Sequence, residues 1–110
     1  MVFKAGFVVM ALDGDPQRDR ATIKTQKFEQ IVVVTTLFDF DLAARVCKDL
    51  VQNEGVQSLI LCPGFTHEGV AKVAKAVGGR VPINVARGDV PGTMATAAIL
   101  AKEGWFPQGH

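Results

Sequence analysis

The segment Leu59-Ile60-Leu61-Cys62-Pro63-Gly64-Phe65-Thr66-His67-Glu68-Gly69-Val70 constrains this chain more than any other. Its apolar run suits a strand buried on both faces, Pro63 and Gly64 then break the run, and Thr66 stands where a helix N-cap is wanted. A strand handed directly to a helix is the building unit of α/β folds. In open sheets of that class, ligands bind beyond the carboxyl ends of the strands, so one segment marks both a fold and a candidate site.

The flanking sequence repeats the pattern. Val2 to Leu12 is β-branched and aromatic and reads as a first strand, and Phe28 to Leu37, with Ile31-Val32-Val33-Val34 at its centre, reads as a second. Between them Asp13 to Lys27 is polar and follows neither period, a loop long enough to be functional or mobile. Asp39 or Asp41 can cap a helix with Leu42, Val46, Leu50 and Val51 along one stripe, and Gly55 fits its left-handed stop. Val56 to Leu61 makes a third strand, and Thr66 opens a helix that carries Val70, Val73, Ala74 and Val77 inward and stops at Gly78-Gly79. Val81 to Ala86 is a fourth strand. Arg87-Gly88-Asp89 leads through Pro91 into a last helix, Gly92 to Glu103, with Trp105 and Phe106 behind it.

The expected architecture is a single α/β domain over residues 1–110, a mostly parallel four-stranded sheet with three helices in the order β-β-α-β-α-β-α. Helical crossovers make the second, third and fourth strands parallel. The first strand has no helix after it, so its direction and its place in the sheet stay open.

Charge narrows the partners. Twelve Lys and Arg against eleven Asp and Glu leave a net charge of +1, which is no footprint for nucleic acid or an anionic membrane surface. No run of about 18 apolar residues occurs, so no membrane span is expected. The apolar start lacks a small-residue cleavage site and reads as a strand, not a signal peptide. Cys47 and Cys62 are too few for a disulfide framework and read as free thiols in a reducing, cytoplasmic compartment.

Several blocks carry a resemblance: Met10-Ala11-Leu12-Asp13-Gly14-Asp15-Pro16, Arg20-Ala21-Thr22-Ile23, Cys62 through Lys72, and Val77-Gly78-Gly79-Arg80-Val81-Pro82. Together they resemble a family of small uncharacterised bacterial and archaeal proteins catalogued as a domain of unknown function. The resemblance runs over nearly the whole chain and implies a prokaryotic cytosolic single-domain protein, with no substrate attached to it.

The turn after the third strand is the candidate site. Free N–H groups and the positive dipole end of the following helix suit a small polar or anionic ligand, and Gly64, Phe65 and Thr66 would present that backbone to it. Gly69 would keep the approach unobstructed. His67 titrates near neutrality and can serve as acid, base or ligand, although Glu68 beside it points about 100 degrees away. Both residues are equally at home as solvated first-turn positions. Asp13 after the first strand and Arg87 after the fourth should reach the same edge in a parallel sheet, adding a carboxylate and an anion-binding guanidinium. Neither His-x-x-x-His nor Cys-x-x-Cys spacing is present, so no metal is assigned. A Walker loop and a dinucleotide-binding glycine fingerprint are also missing, no cofactor is assigned, and no nucleophile-base pair points to a reaction.

The last helix points to a different class of function. Met94, Ala95, Ala97, Ala98, Ile99, Leu100 and Ala101 make it apolar around much of its circumference, more than covering one side of a sheet requires. A homo-oligomer built through this helix and Trp105 is the matching expectation, and the alternative to a ligand-binding protein is a non-catalytic oligomeric or partner-binding module.

Overall fold

The first strand turns out to be the middle of the sheet. The computed structural model describes residues 1–106, with strands β1 (Phe3–Ala11), β2 (Arg20–Lys24), β3 (Phe28–Thr36), β4 (Ser58–Leu61) and β5 (Ile83–Val85). Three helices, α1 (Phe40–Glu54), α2 (His67–Val77) and α3 (Val90–Lys102), complete it. The strands form one sheet in the order β2-β3-β1-β4-β5. β1 runs parallel to both β3 and β4, and β4 runs parallel to β5.

Two expectations are corrected here. The sheet has five strands, not four, and it is mixed, because β2 pairs antiparallel with β3. Arg20-Ala21-Thr22-Ile23-Lys24 lies inside the stretch read as loop; all five residues are exposed, so the strand carries little apolar signal of its own. Charges at both ends of an edge strand also deter pairing with another chain. The long connection therefore shrinks to Leu12–Asp19. The α/β class, the three helices and the parallel relation of the strands joined by crossovers are as expected.

Side-chain alternation sorts the core. Val8 and Met10 of β1, Ile31 and Val33 of β3 and Leu59 and Leu61 of β4 face the helices, where they bury against Ala43, Cys47, Leu50, Val73 and Val77. Each such Leu or Val contributes about 1.5–3 kcal/mol of burial. The helix ends are fixed by the residues the sequence nominates. Asp39 accepts a hydrogen bond from the Leu42 amide at 3.1 Å, and Thr66 accepts one from the Gly69 amide at 3.1 Å. Gly55 and Gly78 close the two helices in the left-handed conformation, with φ of 74° and 66°.

Helices α1 and α2 pack on each other across one glycine. A Cβ at Gly69 would stand 2.5 and 2.7 Å from two ring carbons of Phe40, so a side chain here would collide with the first turn of α1. Gly69 serves the helix pair and not the approach of a ligand. The Phe40 ring in turn lies 5.8 Å from Phe65 and 6.1 Å from Phe38, centroid to centroid, so aromatic contacts link the starts of both helices.

Helix α3 stands apart, with no buried residue. The molecule is correspondingly elongated, 49 × 28 × 27 Å, with a radius of gyration of 14.5 Å against about 13 Å for a compact domain of roughly this length.

The glycine contacts give a paired prediction. Gly69→Ala should lower stability by about 1–3 kcal/mol through overpacking against Phe40. Gly92→Ala in α3, where a new Cβ meets nothing within 4 Å, should be neutral or stabilising by up to about 1 kcal/mol. Urea unfolding midpoints of the two variants check both, and equal midpoints would disprove the assignment of Gly69 to helix packing.

Candidate functional site

Four parallel strands bring their carboxyl ends to one edge, and the turns leaving that edge border a cavity. After β4 the chain runs Cys62-Pro63-Gly64, with the Phe65 amide hydrogen-bonded back to the Cys62 carbonyl at 3.1 Å. After β3 it runs Leu37-Phe38, and after β5 through Gly88 and Asp89 into α3. Between these turns and α3 lies a groove of about 610 Å³. Val9, Met10, Leu37, Phe38, Cys62 and Pro63 line its sheet side. Gly92, Thr93, Thr96, Ala97 and Leu100 form one stripe of α3 on the other side, and Trp105 and Phe106 border the groove as well.

The groove is predominantly apolar, and its polar groups are few. Asp89 is the N-cap residue of α3 but makes no side-chain cap hydrogen bond, which leaves its carboxylate available at the cavity. The hydroxyls of Thr93 and Thr96 stand one and two turns along the same helix. Cys62 is buried and free, as is Cys47 in the core, whose thiol burial pushes up to about 12. Cys47 is therefore a packed, inert thiol, and only Cys62 borders the groove.

Phe38 carries local strain at this site. Its φ is 60°, the one left-handed non-glycine residue among those described, and it is half exposed. For a bulky side chain that conformation costs on the order of 1–2 kcal/mol, and such strain clusters at sites where chain direction matters. Here it turns the chain from β3 into α1 and sets the ring on the groove.

The residues singled out in the sequence separate in the structure. Gly64 lines the groove, half buried, where an added Cβ would approach Met10 Cε at 3.0 Å. Arg87 reaches the same turn, donating from Nη1 to the Pro63 carbonyl at 3.0 Å, and so ties the β5 exit to the β4 exit. Phe65 is fully buried and belongs to the core. The Thr66 hydroxyl is occupied by the Gly69 amide. His67 is exposed at the start of α2, outside the groove lining, and Glu68 is exposed with only a 4.0 Å contact to Lys72. Among the described residues, no three His, Cys, Asp or Glu side chains gather in an arrangement that could hold a metal ion. No described helix is long and apolar enough to cross a membrane.

Asp13 also lies outside the groove lining, and its loop is held by its own bonds. Its carbonyl accepts from Arg18 Nη2 at 3.2 Å, the Asp15 amide donates to Asp19 Oδ2 at 2.9 Å, and Arg18 pairs with Asp19 at 2.8 Å. Gly14 is buried against the Thr35 carbonyl and accepts from the Thr36 hydroxyl at 2.8 Å. A smaller crevice of about 320 Å³ lies between this loop and α1, lined by Pro16, Arg20, Arg45 and Asp49 among others.

The sequence points to this edge of the sheet but names few of the residues that line the groove. Val9 and Met10 read only as strand, and Leu37-Phe38 only as a strand end. Had the parallel direction of β1 been assigned, its carboxyl end would have pointed to them.

The Arg18 guanidinium holds the Asp19 carboxyl at about 2, down from 3.8. A depressed carboxyl stabilises the fold fully above its unfolded value and ceases to do so as pH falls through its folded value. The loop should therefore loosen as pH drops from about 4 through about 2. The Val34 amide, which donates to the Asp19 carbonyl at 2.8 Å, is the reporter in NMR spectra, and a shift insensitive to this range would contradict the pairing.

Comparison with known proteins adds a family and no activity. No curated protein and no solved structure matches the chain. A family model described as a family of unknown function, DUF6506, matches residues 3–101. With that match over nearly all of its length, the chain belongs to the DUF6506 family.

Proposed function

We propose that this protein binds a small molecule in the groove between the carboxyl ends of the parallel strands and α3. The groove itself carries the reading. Its volume lies within the range of ordinary ligand sites, about 300–1,000 Å³, and it occupies the sheet edge where α/β folds place ligands.

The lining revises the ligand class expected from the turn alone. A bare helix N-terminus favours an anion, but Thr66 already caps α2, and the charged group lining the groove is the Asp89 carboxylate. An anion placed there would meet like charge. The chemistry favours a mostly apolar molecule with one hydrogen-bond donor, an amine or a hydroxyl, directed to Asp89 and the threonine hydroxyls. Gly64 and Arg87 then act by shaping the turn, while His67 has no role in holding the ligand.

The single tryptophan of the chain borders the groove, so its fluorescence reports occupancy directly. Titration with hexylamine, hexanol and hexanoate should change Trp105 emission saturably for the first two, with hexanoate weakest. Tightest binding by hexanoate would overturn the donor assignment, and no saturable change with any of the three would overturn the groove as a site. Phe38→Gly supplies an independent check. It relieves the left-handed strain, so thermal stability should hold or rise, while removal of the ring should weaken hexylamine binding several-fold.

A further inference from the structure

Every charged residue in the strands lies on the helix-bearing side of the sheet. Lys4 Nζ donates to the Glu54 carbonyl at the end of α1 at 3.3 Å, Arg20 pairs with Glu54 at 2.6 Å, and Glu29 lies 3.7 and 3.5 Å from Lys4 and Lys24. The opposite face therefore carries no charge. Register places Phe7 beside Val32 and Ile60 there, with Val9 along the same strand, Phe3 at one end and Ile23 on β2. Phe7, Val9, Val32 and Ile60 are partly exposed, Phe3 is 49% exposed and Ile23 62%. No described helix covers this face, and the β1–β2 loop touches one corner of it through Gly14 against Val34. Sheets built from parallel strands are ordinarily covered on both faces, and contiguous apolar patches mark interaction surfaces.

We infer that this open sheet face is an interface for a second copy of the same chain, which lays the outer side of its α3 across it in a reciprocal, two-fold exchange. α3 supplies the matching surface. It carries no charge before Lys102 and no buried residue, and Val90, Met94 and Ile99 are 74%, 69% and 61% exposed. A helix apolar all round calls for burial on more than one side. One side borders the groove through Thr96, Ala97 and Leu100. The outer side, with Val90, Met94 and Ala98, is left without a partner within the described chain.

The dimensions agree. Thirteen helical residues span about 20 Å, and the six steps from Phe3 to Val9 along β1 also span about 20 Å. A helix about 10 Å wide covers β3, β1 and β4, whose spacing is about 4.8 Å. Charge agrees along most of the contact, because the uncharged face meets residues 90–101, which carry no charge, and Lys102 in the last turn is the one ion of the helix. Area decides for exchange over a one-sided contact. One helix on one sheet covers only roughly 20 by 10 Å, and reciprocity doubles this to about 400 Å² per partner, nearer to but still below the ~800 Å² of a standard specific interface. The sheet edges are guarded by the charges of β2 and the shortness of β5, which leaves the face as the route of association. The two surfaces use different sides of α3 and meet at Val9, which also lines the groove.

Analytical ultracentrifugation of the whole protein at micromolar concentration should give a dimer. Ala98→Glu, on a helix with no buried residue, and Val32→Lys, on the open face, should each give a monomer with unchanged far-ultraviolet circular dichroism. An equimolar mixture of the two variants should recover dimer by pairing Glu with Lys across one of the two contacts. A monomeric parent protein would overturn the inference, including the outcome in which α3 folds back on its own sheet. A dimer that survives Ala98→Glu and is lost only in Val32→Lys would overturn the role of α3, leaving face-to-face packing of two sheets. Unfolding of Val32→Lys leaves Ala98→Glu and the parent protein to decide.

Discussion

The structure depends on where its two crossovers go. β3 connects to β4, passing over β1, and β4 connects to its neighbour β5, so both connections step across the sheet in the same direction. Right-handed crossovers that step the same way must lie on the same face. α1 and α2 are therefore brought side by side, with Phe40 against Gly69 and Lys72 paired to Asp41 at 2.9 Å. One face of the sheet becomes a dense core around Val8, Val33, Leu59 and Leu61. The other face receives only the β1–β2 loop at one corner, and α3 projects from the strand ends without lying on it. The open face and the projecting helix are consequences of one topological choice.

The aromatic contacts at the helix starts couple that core to the candidate site. Phe65 is fully buried and contacts Phe40, which contacts Phe38, and Phe38 lines the groove. The turn after β4 is pinned from within by Phe65 and from outside by Arg87 on the Pro63 carbonyl. The sheet side of the groove is thus a rigid platform whose position follows from packing. Rigidity of this kind lets an apolar site bind without the entropic cost of ordering its walls. The strained turn at Phe38 is tolerated because the flanking strand and helix hold it on both sides.

Much of the fold was legible in the sequence because its signals were local. Asp39, Gly55, Thr66 and Gly78 act within a few residues of themselves, so their helix boundaries needed no tertiary information. β2 was hidden for the opposite reason. Its stability comes from pairing with β3 in a register from Arg20–Val33 to Lys24–Glu29, and nothing in Arg-Ala-Thr-Ile-Lys announces a partner further along the chain. The site divides the same way. Gly64 and the turn were readable as a strand-to-helix break, whereas Phe65, Thr66 and Gly69 looked available for a ligand because the sequence does not show what occupies them. A hydroxyl already bonded, a ring already buried and a glycine already filled by a neighbour's phenyl are facts of packing. His67 drew attention by its chemistry alone, and its exposed position outside the groove removes the geometric support.

The composition of α3 joins the two proposals. A helix lying on a sheet needs one apolar stripe, and α1 and α2 have it, with buried Leu50 or Val73 inside and charged residues outside. α3 replaces that charged outer face with Val90, Met94 and Ala98. Left in water, such a surface forgoes about 25 cal/mol for every Å² that burial would gain. A partner that covers the outer side would also fix α3 in place over the groove, since the two surfaces are opposite sides of one short helix. Association and ligand binding would then be linked, because a ligand that holds α3 against the strand ends presents it in the position a second copy receives.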